Sequence, residues 1–487
     1  MELRCFSHVG MARQVRLAVR LAASPWLLAL GVLTAVRLLM AALLPLSPDE
    51  AYYWIWSVHL QAGYFDHPPM VAYWIRAGTM LCGTSAFGVR LLGPLAAAAG
   101  SLLLWDAGER LFPNRHAGVT AAALFNATLI TGVGSVLMTP DTPLIFFWTA
   151  SIAATARWLG SRDDRWWLAI GVAAGAALLS KYTGLLLVAA IGLWLLTGRP
   201  RRLTLRSPWP WLGLVLAAAV FAPDVYWNAA HHWVSYFKQG GRVTMFDAAH
   251  AAQYFAELLI GQIGLATPLV FFLAALGLWR LRRVGGDAAS LLLWLVLLPG
   301  GVFVEHVLSG RVEPNWPAIM FMPACLAAAT LAQPVLQKWL RPALGLGFAC
   351  TLAVYAQALA APFPIPAARD PAALQLAGWP ELLQPLGVLK PAFITSNDYT
   401  TLAELAWTGP PGVPIIAFGT RWHDLSLAVV NGGGSGLSVS RYPAADCALP
   451  LSTSTRMLAR KRGADPALRY YVCDVNAPPD AVRLPHP

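Results

Sequence analysis

The constraint that dominates this chain is a series of long apolar runs that carry almost no charge. They fall near residues 25–46, 86–105, 116–136, 143–158, 166–180, 183–198, 209–224, 258–279, 288–306, 316–333 and 342–361. In hydrocarbon a backbone has no water to bond, so each such run must satisfy its own N–H and C=O groups. A helix is the form that does this within one segment. With 57% hydrophobic and only 12% charged residues and a mean hydropathy of +0.55, a soluble globular domain is excluded. The expected fold class is an all-α polytopic membrane protein with about eleven transmembrane helices.

A net charge of +11 would suggest nucleic acid in a soluble chain, but here its placement matters more. Four arginines (Arg4, Arg13, Arg16 and Arg20) precede the first run, which reads as an uncleaved span with a cytoplasmic N-terminus. Alternating sides from there, the inside segments hold 18 Lys and Arg and the outside loops 5, among them Arg76, Lys181, Lys238, Arg242 and Arg311. By the positive-inside rule the loop after the first run and the tail after residue 361 face outward. The expected division is a membrane domain over 1–361 and a soluble outward domain over 362–487.

That tail has a different texture. It gains turn signals at Thr408 to Gly412, Asn431 to Gly434 and Pro478-Pro479, and short β-type runs at 392–395, 413–418 and 470–472, with a helical stretch around 399–407. A small α/β domain fits. Six cysteines show neither zinc nor CxxC spacing; Cys447 and Cys473 share the outward tail and are expected to pair there.

Chemistry concentrates in the first outward loop, 47–85. Asp49, Glu50, Asp66, His59 and His67 fall within nineteen residues, where charge beside hydrocarbon is costly unless it serves a site. An aromatic belt of Tyr52, Tyr53, Trp54 and Trp56 with solvated acids is the plain alternative. Further polar stretches punctuate the outer ends of later runs, at 138–143, 179–183, 224–233 and 313–317, as if converging on one cavity. Asp141 is read equally as a helix cap or a functional acid. Lys181, a lone ammonium between apolar runs, needs an anionic partner or an escape to the interface, and an anionic ligand is favoured. His231 and His232 read as belt residues, and Arg37 either reaches a phosphate or pairs with an acid of another helix. P-loop, dinucleotide-binding, HExxH and GxSxG patterns are absent, which leaves nucleotide-driven transport and serine hydrolysis without their marks.

Ser47 to Trp54 (Ser-Pro-Asp-Glu-Ala-Tyr-Tyr-Trp), Tyr64 to Pro69, Thr139 to Pro143 and Leu179 to Gly184 together resemble the bacterial family 39 branch of GT-C glycosyltransferases. Relatives there include the protein O-mannosyltransferases and the lipid A aminoarabinose transferases. The resemblance is strong over residues 25–320, and Asn397 to Leu405 is similar to part of the outward domain of these enzymes. It implies transfer of a sugar from a polyprenyl-phosphate carrier to a lipid, glycan or protein acceptor on the outer face of the inner membrane. Asp49 takes the position of the family's catalytic base, Asp141 that of its second-loop acid, and Lys181 that of the lysine meeting the donor phosphate. Glu50, Tyr53 and His67 are expected to bind substrate. Asp66 lines the same cavity and in some relatives binds a divalent metal. This sequence has His67 where a lysine follows that acid in the aminoarabinose transferases, and Gln239 to Arg242 where a metal-binding histidine falls.

The chemistry fits the residues. A lipid-linked phosphate is already a good leaving group, so transfer needs a base on the acceptor and positive charge at the phosphate, giving an inverting in-line displacement. The rival class is a transporter or flippase of lipid-linked sugars, which needs a cavity and a cation but no base. The basic-residue bias makes one expectation directly testable: a phosphatase reporter fused after Pro487 is active outside the inner membrane, whereas activity of a cytoplasmic reporter there would overturn the span count.

Overall fold

The computed structural model describes residues 25–113, 117–240, 249–430, 435–441, 455–477 and 480–487. The N-terminal arginines, Cys5, Arg115, Arg242, Cys447 and the turns at 431–434 and 478–479 lie outside them. Helices predominate. We label α1 (Pro25–Leu43), α2 (Pro48–Val58), α3 (Met70–Cys82), α4 (Leu92–Leu111), α5 (Asp141–Ser161), α6 (Trp166–Ser180), α7 (Leu185–Thr197), α8 (Trp209–Ala230), α9 (Val234–Gly240), α10 (Asp287–His306), α11 (Gln333–Ala360) and α12 (Tyr399–Thr408).

Over their described residues the eleven apolar runs are mainly helical, but they are not alike. Among the described residues five helices are long and apolar enough to cross a membrane, or seven if two pairs bent by 109° and 103° each count as one span. Others are short apolar helices, such as Ala117–Asn126 and α6, because polar or 3-10 breaks interrupt the run. The membrane helices pack through small residues. A Cβ at Gly171 of α6 would lie 2.0 Å from the Gly213 carbonyl of α8, so these two backbones meet where no larger side chain fits. Arg37 of α1 is fully buried and donates to the Asn126 amide oxygen at 2.9 Å. Among the described residues its hydrogen-bond partner is therefore not an acid but a neutral amide on a neighbouring helix.

Beyond α11 the chain becomes α/β. A four-stranded sheet runs in the order β1 (Ile394–Thr395), β3 (Ser435–Ser440), β5 (Asp465–Asn476), β4 (Thr455–Arg462); β2 (Ile416–Ala417) and β6 (Val482–Arg483) form a separate antiparallel pair. β1 and β3 are parallel and the remaining pairs antiparallel. The β-type runs read in the sequence fall on β1, β2 and β5. β3 and β4 were not visible there, since Ser-Gly-Leu-Ser-Val-Ser is small and polar and β4 is studded with Arg and Lys. Charge on β4 is what an edge strand needs to resist pairing with another chain. Cys473 on β5 is disulfide-bonded, while Cys447 lies outside the described residues.

The loop 47–85 is not loose. It folds into α2 and α3 and shares one hydrophobic core with the C-terminal domain, in which Trp54, Ile55 and Trp56 join Trp379, Leu402 and Tyr470. Trp54 meets Trp407 of α12 edge-on at 4.9 Å. The residue that seats α2 is Glu50, which is fully buried. Arg90 donates to its two carboxylate oxygens at 2.6 Å each, and the Met138 amide to one of them at 3.0 Å. It also accepts from the Ser47 N–H at 3.0 Å, the return half of a capping box. Removing one member of a buried pair strands the other charge, which costs about 3–5 kcal/mol. Glu50→Ala should therefore lower the unfolding temperature of the detergent-purified protein clearly, and Glu50→Met with Arg90→Met should lower it less.

Candidate active site

α2 begins at Pro48, whose fixed φ suits a first helical turn, so Asp49 and Glu50 stand side by side in that turn. Adjacent helical residues point about 100° apart. Glu50 turns inward to Arg90, and Asp49 turns toward a cavity. This cavity measures about 630 Å³ and is bounded by Asp49, Tyr53, His67, Asp141, Lys181 and Tyr399, with His306, Arg311 and Asn315 on its further wall.

Five of the seven residues read from the sequence thus come together. Three of the four polar stretches converge as anticipated, 138–143, 179–183 and 313–317. The fourth, 224–233, instead builds the supporting layer: Asp224 accepts from Tyr236 at 3.1 Å and Trp227 donates to Gln61 at 2.7 Å. Glu50 does not reach the cavity, because Arg90 and the Met138 amide hold both its oxygens.

Asp141 sits in the first turn of α5, but its side chain does not cap that helix. It accepts from Lys181 at 2.7 Å and from Asn315 at 2.6 Å. The ammonium of Lys181, expected to wait for a ligand, therefore already has an acid, and lies 5.9 Å from the Trp316 ring centre. It remains on the cavity wall, where its charge is shared with Asp141.

Asp66 lies behind the cavity in a cationic nest. Lys238 of α9 approaches one oxygen at 2.8 Å, Arg421 bonds the other, and the Tyr52 hydroxyl donates to it at 2.7 Å. Burial pushes this carboxyl upward, but Arg421 and Lys238 outweigh burial and hold it below the usual carboxylate range. The metal expected here does not fit that donor set. Both oxygens are engaged by cations or a phenol, and no group of three His, Cys, Asp or Glu suited to a metal ion occurs among the described residues.

Asp49 has the opposite environment. Its side chain is open to the cavity yet set deep among protein atoms, and this desolvation raises its pKa above the ordinary value. The Tyr399 hydroxyl, 3.3 Å from Oδ1, opposes that shift, while Asp66, Glu50 and Asp398 reinforce it. Tyr399 and Arg421 come from the C-terminal domain, and nothing local in the chain marks them as reaching this loop. Arg421 stacks over the Tyr399 ring at 4.2 Å and the Phe65 ring at 5.0 Å.

Comparison with known proteins bears on family and fold. The sequence profile of the dolichyl-phosphate-mannose-protein mannosyltransferase family matches residues 66–227, which include Asp66, Asp141 and Lys181. The chain is 29% identical over 304 residues to a lipid A galacturonosyltransferase of Rhizobium johnstonii, covering 61% of this chain and 62% of that one. It is 28% identical over 284 residues to an undecaprenyl phosphate-alpha-4-amino-4-deoxy-L-arabinose arabinosyl transferase of Erwinia tasmaniensis, covering 51% and 49%. The chain thus spans between about half and two thirds of the length of these relatives. Among solved structures, ArnT from Cupriavidus metallidurans bound to undecaprenyl phosphate superposes with a TM-score of 0.63 at 16% identity, over 93% of this chain and 98% of that one. That likeness establishes the fold, and the resemblance read from the four motifs is borne out.

The linkage at Asp66 has a definite sign. A carboxyl whose folded pKa is depressed adds stability above its unfolded pKa and loses it as pH falls through the folded value. Arg421→Gln removes the leading counter-charge, so acid-induced undocking of the C-terminal domain should shift to higher pH than in the wild type. Limited proteolysis between about pH 3 and 6 reads it, and an unmoved transition would show that Asp66 does not control docking.

Proposed function

We propose that this chain is an integral membrane glycosyltransferase that moves a sugar from a polyprenyl-phosphate donor to an acceptor at the periplasmic face of the bacterial inner membrane. The observation that carries the reading is the pairing of chemistries in one cavity: Asp49, a carboxylate with a phenol but no cation against it, faces the same space as a cation, Lys181. The fold shared with an undecaprenyl-phosphate-bound protein and the transferase names of the relatives support it. The galacturonosyltransferase, whose name specifies lipid A, favours lipid A as acceptor. A membrane domain over 1–361 and an outward domain over 362–487, with the N-terminus in the cytoplasm, complete the proposal. The transporter reading lacks support from these relatives, all of them transferases.

In the reaction the acceptor oxygen attacks the anomeric carbon from the face opposite the phosphate. A new C–O bond forms as the bond to phosphate oxygen breaks, and its electron pair leaves on the phosphate. Asp49 takes the acceptor proton. The raised pKa described above makes it a stronger base than a free carboxylate. Lys181 steadies the charge gathering on the departing phosphate, with Asp141 and Asn315 fixing where the ammonium stands. Tyr53 and His67 bound the space for the sugar. No general acid is required, because the phosphate leaves as a stable anion.

Turnover should be measured with purified protein, polyprenyl-phosphate sugar and lipid A, without any membrane gradient; a protein that only moves the donor across liposomes would refute the assignment. Asp49→Asn keeps the shape and removes the base, so turnover falls at least ~100-fold with donor binding largely retained. Near-normal turnover in Asp49→Asn, with loss in Asp141→Asn, would move the base to the second carboxylate.

A further inference from the structure

We infer that Tyr399, delivered by the C-terminal domain, is a positioning residue for the transfer: it holds one oxygen of Asp49 so that the other faces the acceptor. This rests on Asp49 being the base. The geometry is specific. The Tyr399 hydroxyl lies 3.3 Å from Asp49 Oδ1, and among the described residues no other side chain hydrogen-bonds that carboxylate. A carboxylate with no partner rotates about its Cβ–Cγ bond; with one donor fixed, the remaining oxygen has a defined direction.

Tyr399 is itself held from three sides. Asp398 caps α12 by accepting from the Thr401 N–H at 3.1 Å, which sets the residue that follows it. The ring meets Tyr52 edge-on at 5.0 Å, and the Arg421 guanidinium covers it at 4.2 Å. Arg421 is in turn anchored on Asp66 and on the Tyr52 hydroxyl at 3.1 Å. The first outward loop and the C-terminal domain therefore grip each other through the very residues that orient the base. On this reading the domain completes the site rather than decorating it.

The phenol remains a donor, since burial and the nearby Asp49 and Asp66 charges push its pKa well above the usual tyrosine range. The titratable groups facing Asp49 are Glu50 and Tyr53 on its own helix, Asp66 on the loop, and Asp398 and Tyr399 from the domain. His67 and the Lys181–Asp141 pair share the cavity. Of these, Tyr399 is the one that donates a hydrogen bond to the ionised carboxylate, and such a bond lowers its pKa.

The test is Tyr399→Phe in the full-length protein, which keeps the ring against Tyr52 and Arg421 and removes only the hydroxyl. We expect kcat to fall about tenfold, the donor KM to stay unchanged, and the acid limb of kcat/KM to move to higher pH by about one unit. In the Asp49→Asn background the same change should add no further loss, because its effect runs through Asp49. An unmoved acid limb, whether or not kcat falls, would overturn the inference while leaving the base assignment intact. A lowered unfolding temperature accompanied by that unmoved limb would assign Tyr399 a purely structural role. Retained turnover in Asp49→Asn would instead remove the base itself, and the inference with it.

Discussion

The arrangement depends first on one buried ion pair. Arg90 grips Glu50 with two hydrogen bonds at 2.6 Å and spends its remaining donors on the carbonyls of Leu44 and Pro45, each at 2.7 Å. Glu50 in turn takes the Met138 amide. The end of α1, the start of α2, the turn before α4 and the segment leading into Asp141 are thereby locked around one carboxylate. Since both charges are fully buried, the bonds must be complete for the pair to be tolerable at all. That is why the acid beside the proposed base has no freedom to take part in chemistry.

A second layer follows from this. With α2 fixed, its aromatic face is presented outward, and the C-terminal domain covers it with Trp407, Trp422 and Tyr399. Aromatic edges meeting at about 5 Å contribute packing beyond the area they bury. Arg421 threads the same cluster and neutralises Asp66, so the domain contributes charge as well as surface. Asp66 and Asp49 are thus differentiated by partners: Asp66 is saturated with cations, and Asp49 has one phenol and the cavity. Opposite environments on neighbouring carboxylates are how one of them is kept reactive.

The sequence by itself determined a good deal. Long uncharged runs dictate membrane helices because hydrocarbon offers the backbone no partner, and the change in texture after residue 361 announces a separate α/β segment for the same reason. It also brought Asp49, Asp141 and Lys181 forward, since isolated charge beside apolar runs is costly and local in the chain. Partnership was decided only by the tertiary structure. Glu50 was expected to bind substrate until Arg90, forty residues away, claimed it, and the ammonium of Lys181 was open until Asp141 met it. Asp66 invited a metal until Lys238 and Arg421 occupied both its oxygens. Tyr399, 350 residues from Asp49, lies in a stretch that resembles part of the family's soluble domain, but nothing local places it beside the base. Burial and counter-charge are sums over neighbours in space, and those neighbours come from every part of the chain.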